Sequence, residues 1–282
     1  MEHNQKNPLF GYFRQPAIYL NLPSKGDWWG EDALDLPVTG EIPVFPMTTR
    51  DEVMLRTPDA LLNGQGVVEV IQSCCPSIKN AWEMPSVDVD AVLIAIRIAT
   101  YGNAMKFDSK CGYCEEVNTH EIDLSAKLAE VHCPNYDESI TYKTLKIKIK
   151  PQHYFTANQA SLIEFEEEKL RNVVSMTEMD STERANLLSE SMKKLVDLGA
   201  EICANSTAYI EVESGDRVTN VDYIKEFYKE AESNVMSQVQ AKLADLNAQS
   251  KMKPLSLVCF ECKKTYSMEL TFDYASFFAK GF

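Results

Sequence analysis

Two short cysteine motifs constrain this chain more than any other feature. They are Cys111-Gly112-Tyr113-Cys114 and Cys259-Phe260-Glu261-Cys262, which stand far apart in a sequence of 282 residues. Two thiolates three positions apart on a tight turn can bind one metal ion, and two such turns supply a tetrahedral set of four sulfur ligands. We therefore expect the fold to bring the two motifs together around one metal ion.

The segments around the two motifs match each other, which strengthens this prediction. A short strand-like segment enters each motif, two charged residues follow the second cysteine, and a longer strand-like segment leaves it. The pattern predicts two hairpins in a zinc-ribbon-like arrangement, with about one zinc ion per chain. Because four cysteines leave no open coordination position, the predicted metal is structural and not catalytic. The predicted ligands are Cys111, Cys114, Cys259 and Cys262.

Other interpretations of the cysteines and histidines stay open at this point. The motifs could form a redox disulfide, although neither stands in a thioredoxin-like βαβ segment, or they could be core cysteines without a metal. His120 could replace one thiolate, and His132-Cys133 could form a separate ligand pair. The cysteines outside the motifs are expected to be small buried apolar residues. They are Cys74, Cys75, Cys133 and Cys203.

Residues 47–282 are predicted to form an α+β domain, with a helical body and small antiparallel β-hairpins that make up a split zinc-ribbon-like module of four cysteines. Its consecutive parts are a helical part (47–103), the first cysteine turn with strands (104–151), a helical insertion (152–205), and a strand, a long helix and the second cysteine turn (206–282).

Local patterns predict where the helices and strands lie. The lysines of Thr144–Lys150 alternate with apolar residues, which we interpret as an edge strand with a solvated face. An apolar period predicts one long helix from Asn220 to about Asn247, which packs on its own domain or forms a coiled coil. The other expected features are a capping box at Thr49 and Glu52, helix starts at Thr57-Pro58 and after Ser86, helices over 67–75 and Val87–Tyr101, and strands over Thr207–Glu213 and Tyr266–Phe272.

The two ends of the chain are rich in aromatic residues. Residues 1–46 contain six prolines and are expected to form an extended arm without regular sheet. This arm either packs on its own domain or docks on a neighbouring subunit. Near the other end, Phe277, Phe278 and Phe282 are expected at a contact with a partner. The alternative is that this segment folds back over the helix Val87–Tyr101 and closes the core.

The charge balance and the motifs exclude several classes of function. The chain has 42 acidic and 28 basic residues, a formal charge of -14, which disfavours binding to nucleic acid. Its apolar runs are shorter than the roughly 20 residues that a membrane helix needs, and its beginning lacks a secretory signal. We find no phosphate-binding loop, nucleophile elbow or paired-carboxylate motif. The sequence therefore predicts a non-enzymatic protein of a reducing cytoplasm, without a small-molecule substrate.

Two stretches of the sequence resemble a known family. One contains Met47-Thr48-Thr49-Arg50-Asp51-Glu52, the helix Val87–Tyr101 and the first cysteine motif. The other contains the second motif with Lys263-Lys264, an alternating strand, Phe272-Asp273 and Phe277-Phe278. Over roughly residues 45–125 and 205–282 the chain resembles the baseplate proteins of T-even-type contractile-tailed bacteriophages, in particular the hub-associated family.

The resemblance implies a structural protein of the virion, located in the tail baseplate after synthesis in the host cytoplasm. Such a protein acts through contacts with other baseplate or tail subunits during hub and tail assembly. Two alternatives remain at this point: a tail or hub assembly chaperone that leaves before the particle is complete, and a host-directed zinc-ribbon adaptor that contacts proteins.

Overall fold

The computed structural model describes residues 9, 12–56, 64–176, 180–270 and 277–278. It confirms an α+β chain with small antiparallel sheets. The strands are β1 (Ile18–Asn21), β2 (Glu41–Val44), β3 (Ala104–Lys110), β4 (Val117–Asp123), β5 (Ser139–Tyr142), β6 (Leu145–Ile149), β7 (Thr207–Glu211), β8 (Arg217–Val218), β9 (Leu255–Val258) and β10 (Thr265–Met268). The α-helices are α1 (Thr49–Met54), α2 (Gln65–Cys74), α3 (Ser86–Tyr101), α4 (Leu124–Leu128), α5 (Tyr154–Met176), α6 (Ser181–Asn205), α7 (Val221–Glu230) and α8 (Ser233–Ser250).

A first hydrophobic core surrounds α3, the most deeply buried helix. Helix α2, the β1–β2 hairpin and the base of the β3–β4 hairpin pack against it. Helix α1 at its edge begins one residue away from the predicted position, because Thr48 and Asp51 form the capping box in place of Thr49 and Glu52. The helix start expected at Thr57-Pro58 lies outside the described residues.

The expectation that residues 1–46 lack regular sheet is wrong. Strand β1 pairs with β2 in an antiparallel hairpin, and Leu20 and Ile42 belong to the first core. Pro43 fits because a two-stranded sheet has only edges, where proline is tolerated. Arg14 donates from Nη2 to the carbonyl of Ser73 at 2.7 Å. Residues 14–46 thus pack on their own chain. The division of the chain into an arm and a domain at residue 46 stays a prediction.

A second hydrophobic core is built on the four-stranded sheet, whose strand order is β5-β6-β7-β8. Helices α6, α7 and α8 cover this sheet. Strand β6 lies inside it, so the predicted edge position is wrong: Ile147 stands opposite Ile140 on one side and Ile210 on the other. Alternation of lysine and isoleucine indicates which face is solvated, but it does not tell how many neighbours a strand has.

The long helix expected over residues 220–247 is divided into α7 and α8. Ala231 and Glu232 have extended backbone conformations, with ψ of 168° and 138°. Ile224 and Tyr228 of α7 and Val239 of α8 nevertheless belong to one core. The apolar period continues through the break because both helices turn their apolar faces to the same sheet. The prediction of a single long helix is therefore wrong.

The last described residues fold back over α3. Phe277 and Phe278 are 1% and 5% exposed, respectively. Arg97 donates from Nη1 to the carbonyl of Phe277, and the Tyr101 hydroxyl donates to the carbonyl of Phe278 at 3.3 Å. The expected partner contact is therefore wrong for this pair, because the two rings complete the first core. Phe282 lies outside the described residues.

Two predicted strands are shorter than expected. Strand β7 ends at Glu211, since a turn follows in which the Val212 N–H donates to the carbonyl of Asp216 at 3.0 Å. Strand β10 ends at Met268, because Met268 stands opposite Leu255, the first residue of its antiparallel partner β9. Residues 271–276 of the predicted strand and its continuation lie outside the described part. Within the described ranges, no helix has both the length and the hydropathy that crossing a bilayer requires.

Candidate metal centre

The four predicted ligands lie at the tips of two hairpins. Cys111 and Cys114 stand in the turn between β3 and β4, and Cys259 and Cys262 stand in the turn between β9 and β10. The first hairpin is rooted in the first core through Met105 and Ile122. The second hairpin follows α8, which belongs to the second core. Met252, just before this hairpin, packs against the first core as well. The fold therefore brings together two turns that are far apart in the sequence.

The two turns have the same hydrogen bonds. The Cys111 N–H donates to the carbonyl of Glu116 at 2.9 Å, and the Cys259 N–H donates to the carbonyl of Lys264 at 3.0 Å. The residue after the second cysteine donates to the carbonyl of the first, at 2.9 Å for Glu115 and 3.1 Å for Lys263. This repeated pattern explains why the two motifs have similar flanks.

The same two residues have left-handed backbone conformations, with φ of 63° for Glu115 and 59° for Lys263. A positive φ is uncommon outside glycine, because the Cβ atom then crowds the backbone. In both turns it occurs at the residue whose N–H donates to the carbonyl of the first cysteine. The charged side chains at these positions gave no sign of the conformation in the sequence.

The sulfur atoms have the spacing of a tetrahedral metal site. Sγ of Cys111 lies 3.7 Å from Sγ of Cys262, and Sγ of Cys114 lies 3.6 Å from Sγ of Cys259. All four sulfur atoms lie within 4.8 Å of one another. A tetrahedral centre with Zn–S bonds near 2.3 Å has S–S edges of about 3.8 Å. The observed separations are far longer than the roughly 2.05 Å of a disulfide bond.

Each turn has one buried cysteine and one more accessible cysteine. Cys111 and Cys259 are at most 1% exposed, whereas Cys114 is exposed and Cys262 is half-buried. The backbone N–H of Cys262 points at the Cys259 sulfur and lowers the pKa of this thiol to about 6. The Tyr113 N–H lies 3.4 Å from the Cys111 sulfur. Such N–H groups stabilise the thiolate form, which is the form that binds metals.

Two side chains that sequence reasoning missed connect the hairpins. Asn118 of β4 reaches the second turn: its amide donates to the Cys259 sulfur at 3.5 Å, and its oxygen accepts from the Phe260 N–H at 2.7 Å. Tyr266 of β10 reaches the first hairpin, where its hydroxyl contacts Ser109 and lies 3.1 Å from Nε2 of His120. Both residues come four positions after the second cysteine of their own motif, but the sequence does not show that their side chains reach the other hairpin.

The alternative ligands lie elsewhere. The ring of His120 lies against the ring of Phe260 in a tilted arrangement, with 5.0 Å between centroids, and is outside the four-cysteine group. Nδ1 of His132 contacts the carbonyl of Glu130 at 2.9 Å, and the Cys133 thiol donates to the carbonyl of Pro134 at 3.4 Å. The expectation of burial holds for Cys74, Cys75 and Cys203, whereas Cys133 is half-buried. Burial raises the pKa of the Cys74 and Cys203 thiols to about 12.

A family model described as "T4 bacteriophage base plate protein" matches residues 31–279, a range that contains both cysteine motifs. No curated protein and no solved structure matches the chain.

Proposed function

The chain belongs to the T4 bacteriophage base plate protein family, and on this premise we propose that it is a non-enzymatic, hub-associated subunit of the tail baseplate. Membership confirms the resemblance noted in the sequence and makes the chain a structural baseplate protein of the phage tail that contacts other baseplate or tail proteins. The family match across residues 31–279 is the observation that carries this conclusion. Hub association and the absence of catalysis are the proposed part.

We further propose that Cys111, Cys114, Cys259 and Cys262 hold one zinc ion in a split zinc-ribbon-like module. The S–S distances of 3.6 and 3.7 Å support the proposal, as do the backbone N–H groups that point at two of the sulfurs. Thiolates in tetrahedral arrangement favour zinc among the common divalent metals. When bound, the ion would supply a cross-link and no reaction chemistry, because its coordination would be complete.

One lysine beside the module suits such a centre. A Zn²⁺ ion with four thiolates carries excess negative charge, which nearby cations stabilise. Lys110, Lys263 and Lys264 flank the two turns together with Glu115, Glu116 and Glu261, and Nζ of Lys110 pairs with the Glu115 carboxylate at 2.9 Å. Nζ of Lys264 lies 4.8 Å from the centre of the Tyr113 ring, so this ammonium group is held over the first turn although it belongs to the second.

An exposed apolar stripe on α6 supports a role in protein contacts. Leu188, Met192 and Val196 recur every four residues, so they share one side of the helix, and they are 39%, 63% and 56% exposed. Apolar side chains in a row on a helix surface are typical of contacts with another protein. This stripe is a candidate contact with a neighbouring baseplate subunit.

Mass spectrometry of purified tails, hub subcomplexes and assembly intermediates tests the proposed place in the particle. We expect peptides of this chain in mature tails, at a constant ratio to other baseplate proteins, and in the isolated hub. Presence in intermediates but absence from mature tails would support the assembly chaperone instead. Purification with host polymerase and not with tails would support the adaptor.

A further inference from the structure

The two hairpins of the proposed metal centre reach across to each other with residues in equivalent positions. Asn118 is the second residue of β4, and Tyr266 is the second residue of β10. Each side chain crosses to the opposite hairpin, but they meet different groups there. Tyr266 contacts the side chains of Ser109 and His120, whereas Asn118 contacts a ligand sulfur and the backbone of the second turn.

Asn118 uses both ends of its amide. Nδ2 donates to the carbonyl of Glu116 in its own turn at 3.1 Å and lies 3.5 Å from the Cys259 sulfur. Oδ1 accepts from the Phe260 N–H at 2.7 Å. The side chain is therefore fixed by the first turn on one side and fixes the second turn on the other. Asn118 is only 2% exposed, so water does not compete for these bonds.

We propose that Asn118 is a positioning residue of the metal centre, which orients the Cys259 thiolate and holds the second turn in register with the first. This inference rests on the proposed four-cysteine metal site. A neutral N–H donor stabilises a thiolate without competing with the metal for it, whereas a carboxylate in the same place would repel the thiolates. Hydrogen-bond partners of metal ligands set ligand orientation, and their removal typically weakens metal binding roughly 10–100-fold.

Asn118→Asp is the direct test, because it keeps the shape of the side chain and replaces the N–H donor by a charged acceptor. Asn118→Ser is the neutral second variant. Tyr266→Phe is the matched control, since it removes the reciprocal contact between the hairpins and touches no sulfur. The full-length chain is titrated with Zn²⁺ against a chelating dye under reducing conditions. Each variant is also loaded with Co²⁺, whose sulfur-to-metal charge-transfer band reports the thiolates directly.

We expect Asn118→Asp to weaken Zn²⁺ binding roughly 10–100-fold and Tyr266→Phe to weaken it clearly less. In both Asn118 variants the charge-transfer band should move to longer wavelength, because a thiolate without its hydrogen bond is a better electron donor. The band of Tyr266→Phe should not move. Circular dichroism of each variant reports whether the chain is folded.

Two results would overturn the inference while the metal site stands. The first is that both Asn118 variants bind Zn²⁺ with an affinity within about threefold of that of the original protein. The second is that the charge-transfer band does not move and that Asn118→Asp and Tyr266→Phe lose equal Zn²⁺ affinity, which would make Asn118 an ordinary structural contact. If the unchanged chain itself binds neither Zn²⁺ nor Co²⁺, the proposed metal centre fails, and the inference fails with it.

Discussion

The sulfur atoms of Cys114 and Cys259 lie 3.6 Å apart although 145 positions separate them in the chain. The first belongs to a hairpin rooted in the core around α3, and the second belongs to a hairpin that follows the last helix of the other core. A metal ion between them would join two hairpins that are far apart in the chain. Structural zinc in small domains contributes binding free energy on the order of 10–16 kcal/mol, so such a link would dominate the local stability.

Removal of one sulfur ligand should lower metal content and stability together. For Cys111→Ser we expect zinc well below one ion per chain, since this sulfur is buried and receives the Tyr113 N–H. A loss of about 3 kcal/mol would lower the melting temperature by roughly 5 °C in a chain of this length. Metal analysis and thermal melting in reducing buffer measure both quantities.

Cys133→Ser is the control for this experiment, because Cys133 lies outside the sulfur group. It should retain the zinc and melt close to the original protein. Cys262→Ser, at the half-buried ligand, should lose zinc as Cys111→Ser does. Unchanged melting of both ligand variants would argue against a structural metal.

The contribution of Asp88 to the stability of the protein should fall as the pH rises, whereas the contribution of most carboxylates increases. The carboxylate of Asp88 is buried and accepts from the Ser24 N–H at 2.8 Å and from Nε1 of Trp29 at 3.0 Å. Burial raises its pKa to about 6, and the hydrogen bonds from Ser24 and Trp29 offset only part of this rise. The folded state therefore holds the Asp88 proton more tightly than the unfolded state, and this tighter binding contributes to the free energy of unfolding. The contribution is complete below about pH 4 and is lost as the pH rises through about 6.

Asp88→Asn isolates this contribution. The difference in unfolding free energy between the original protein and the variant should be larger at pH 5 than at pH 7.5, by roughly 1 kcal/mol. The variant should also be less stable at both values, because its amide cannot accept from every donor that faces Asp88. Urea denaturation at the two pH values measures the difference. Equal differences would contradict the raised pKa.

Phe277→Ala should destabilise the protein itself. The ring is buried, and the Arg97 guanidinium lies over it at 5.3 Å from the ring centre. Loss of a buried phenylalanine side chain typically costs about 3–5 kcal/mol. Phe165→Ala, at a position that is 60% exposed on α5, is the matched control and should change stability by less than about 0.5 kcal/mol. If Phe277→Ala melts like the control, the packing over α3 is wrong.

Two neighbours on β1 test whether the N-terminal hairpin belongs to the first core. Leu20 is 4% exposed and faces the core, whereas Tyr19 is 64% exposed on the other face. We expect Leu20→Ala to cost about 2–5 kcal/mol and Tyr19→Ala to cost much less. Chemical denaturation of the full-length variants gives both values. Small and equal effects would support an arm that contributes to assembly and not to folding.

The sequence predicted that the four motif cysteines come together, which the structure confirms, because the two motifs and their matching flanks are local patterns. Their role as metal ligands stays a prediction. The sequence did not predict Asn118, since an asparagine in a strand has no distinctive pattern, and its partners stand 141 and 142 positions away. The inner position of β6 was missed for the same reason, because β7 pairs with it only after two intervening helices. The break at Ala231 was hidden because α7 and α8 pack on one sheet and so continue a single apolar period.

X-ray absorption at the zinc edge of the purified full-length chain tests the central claim most directly. It reports the identity of the metal and the number and distance of its ligands in one measurement. We predict about one zinc ion per chain, with four sulfur neighbours at about 2.3 Å and no nitrogen or oxygen ligand. A folded chain that holds no zinc under reducing conditions, or a zinc ion with mixed nitrogen and sulfur ligands, would contradict the four-cysteine centre.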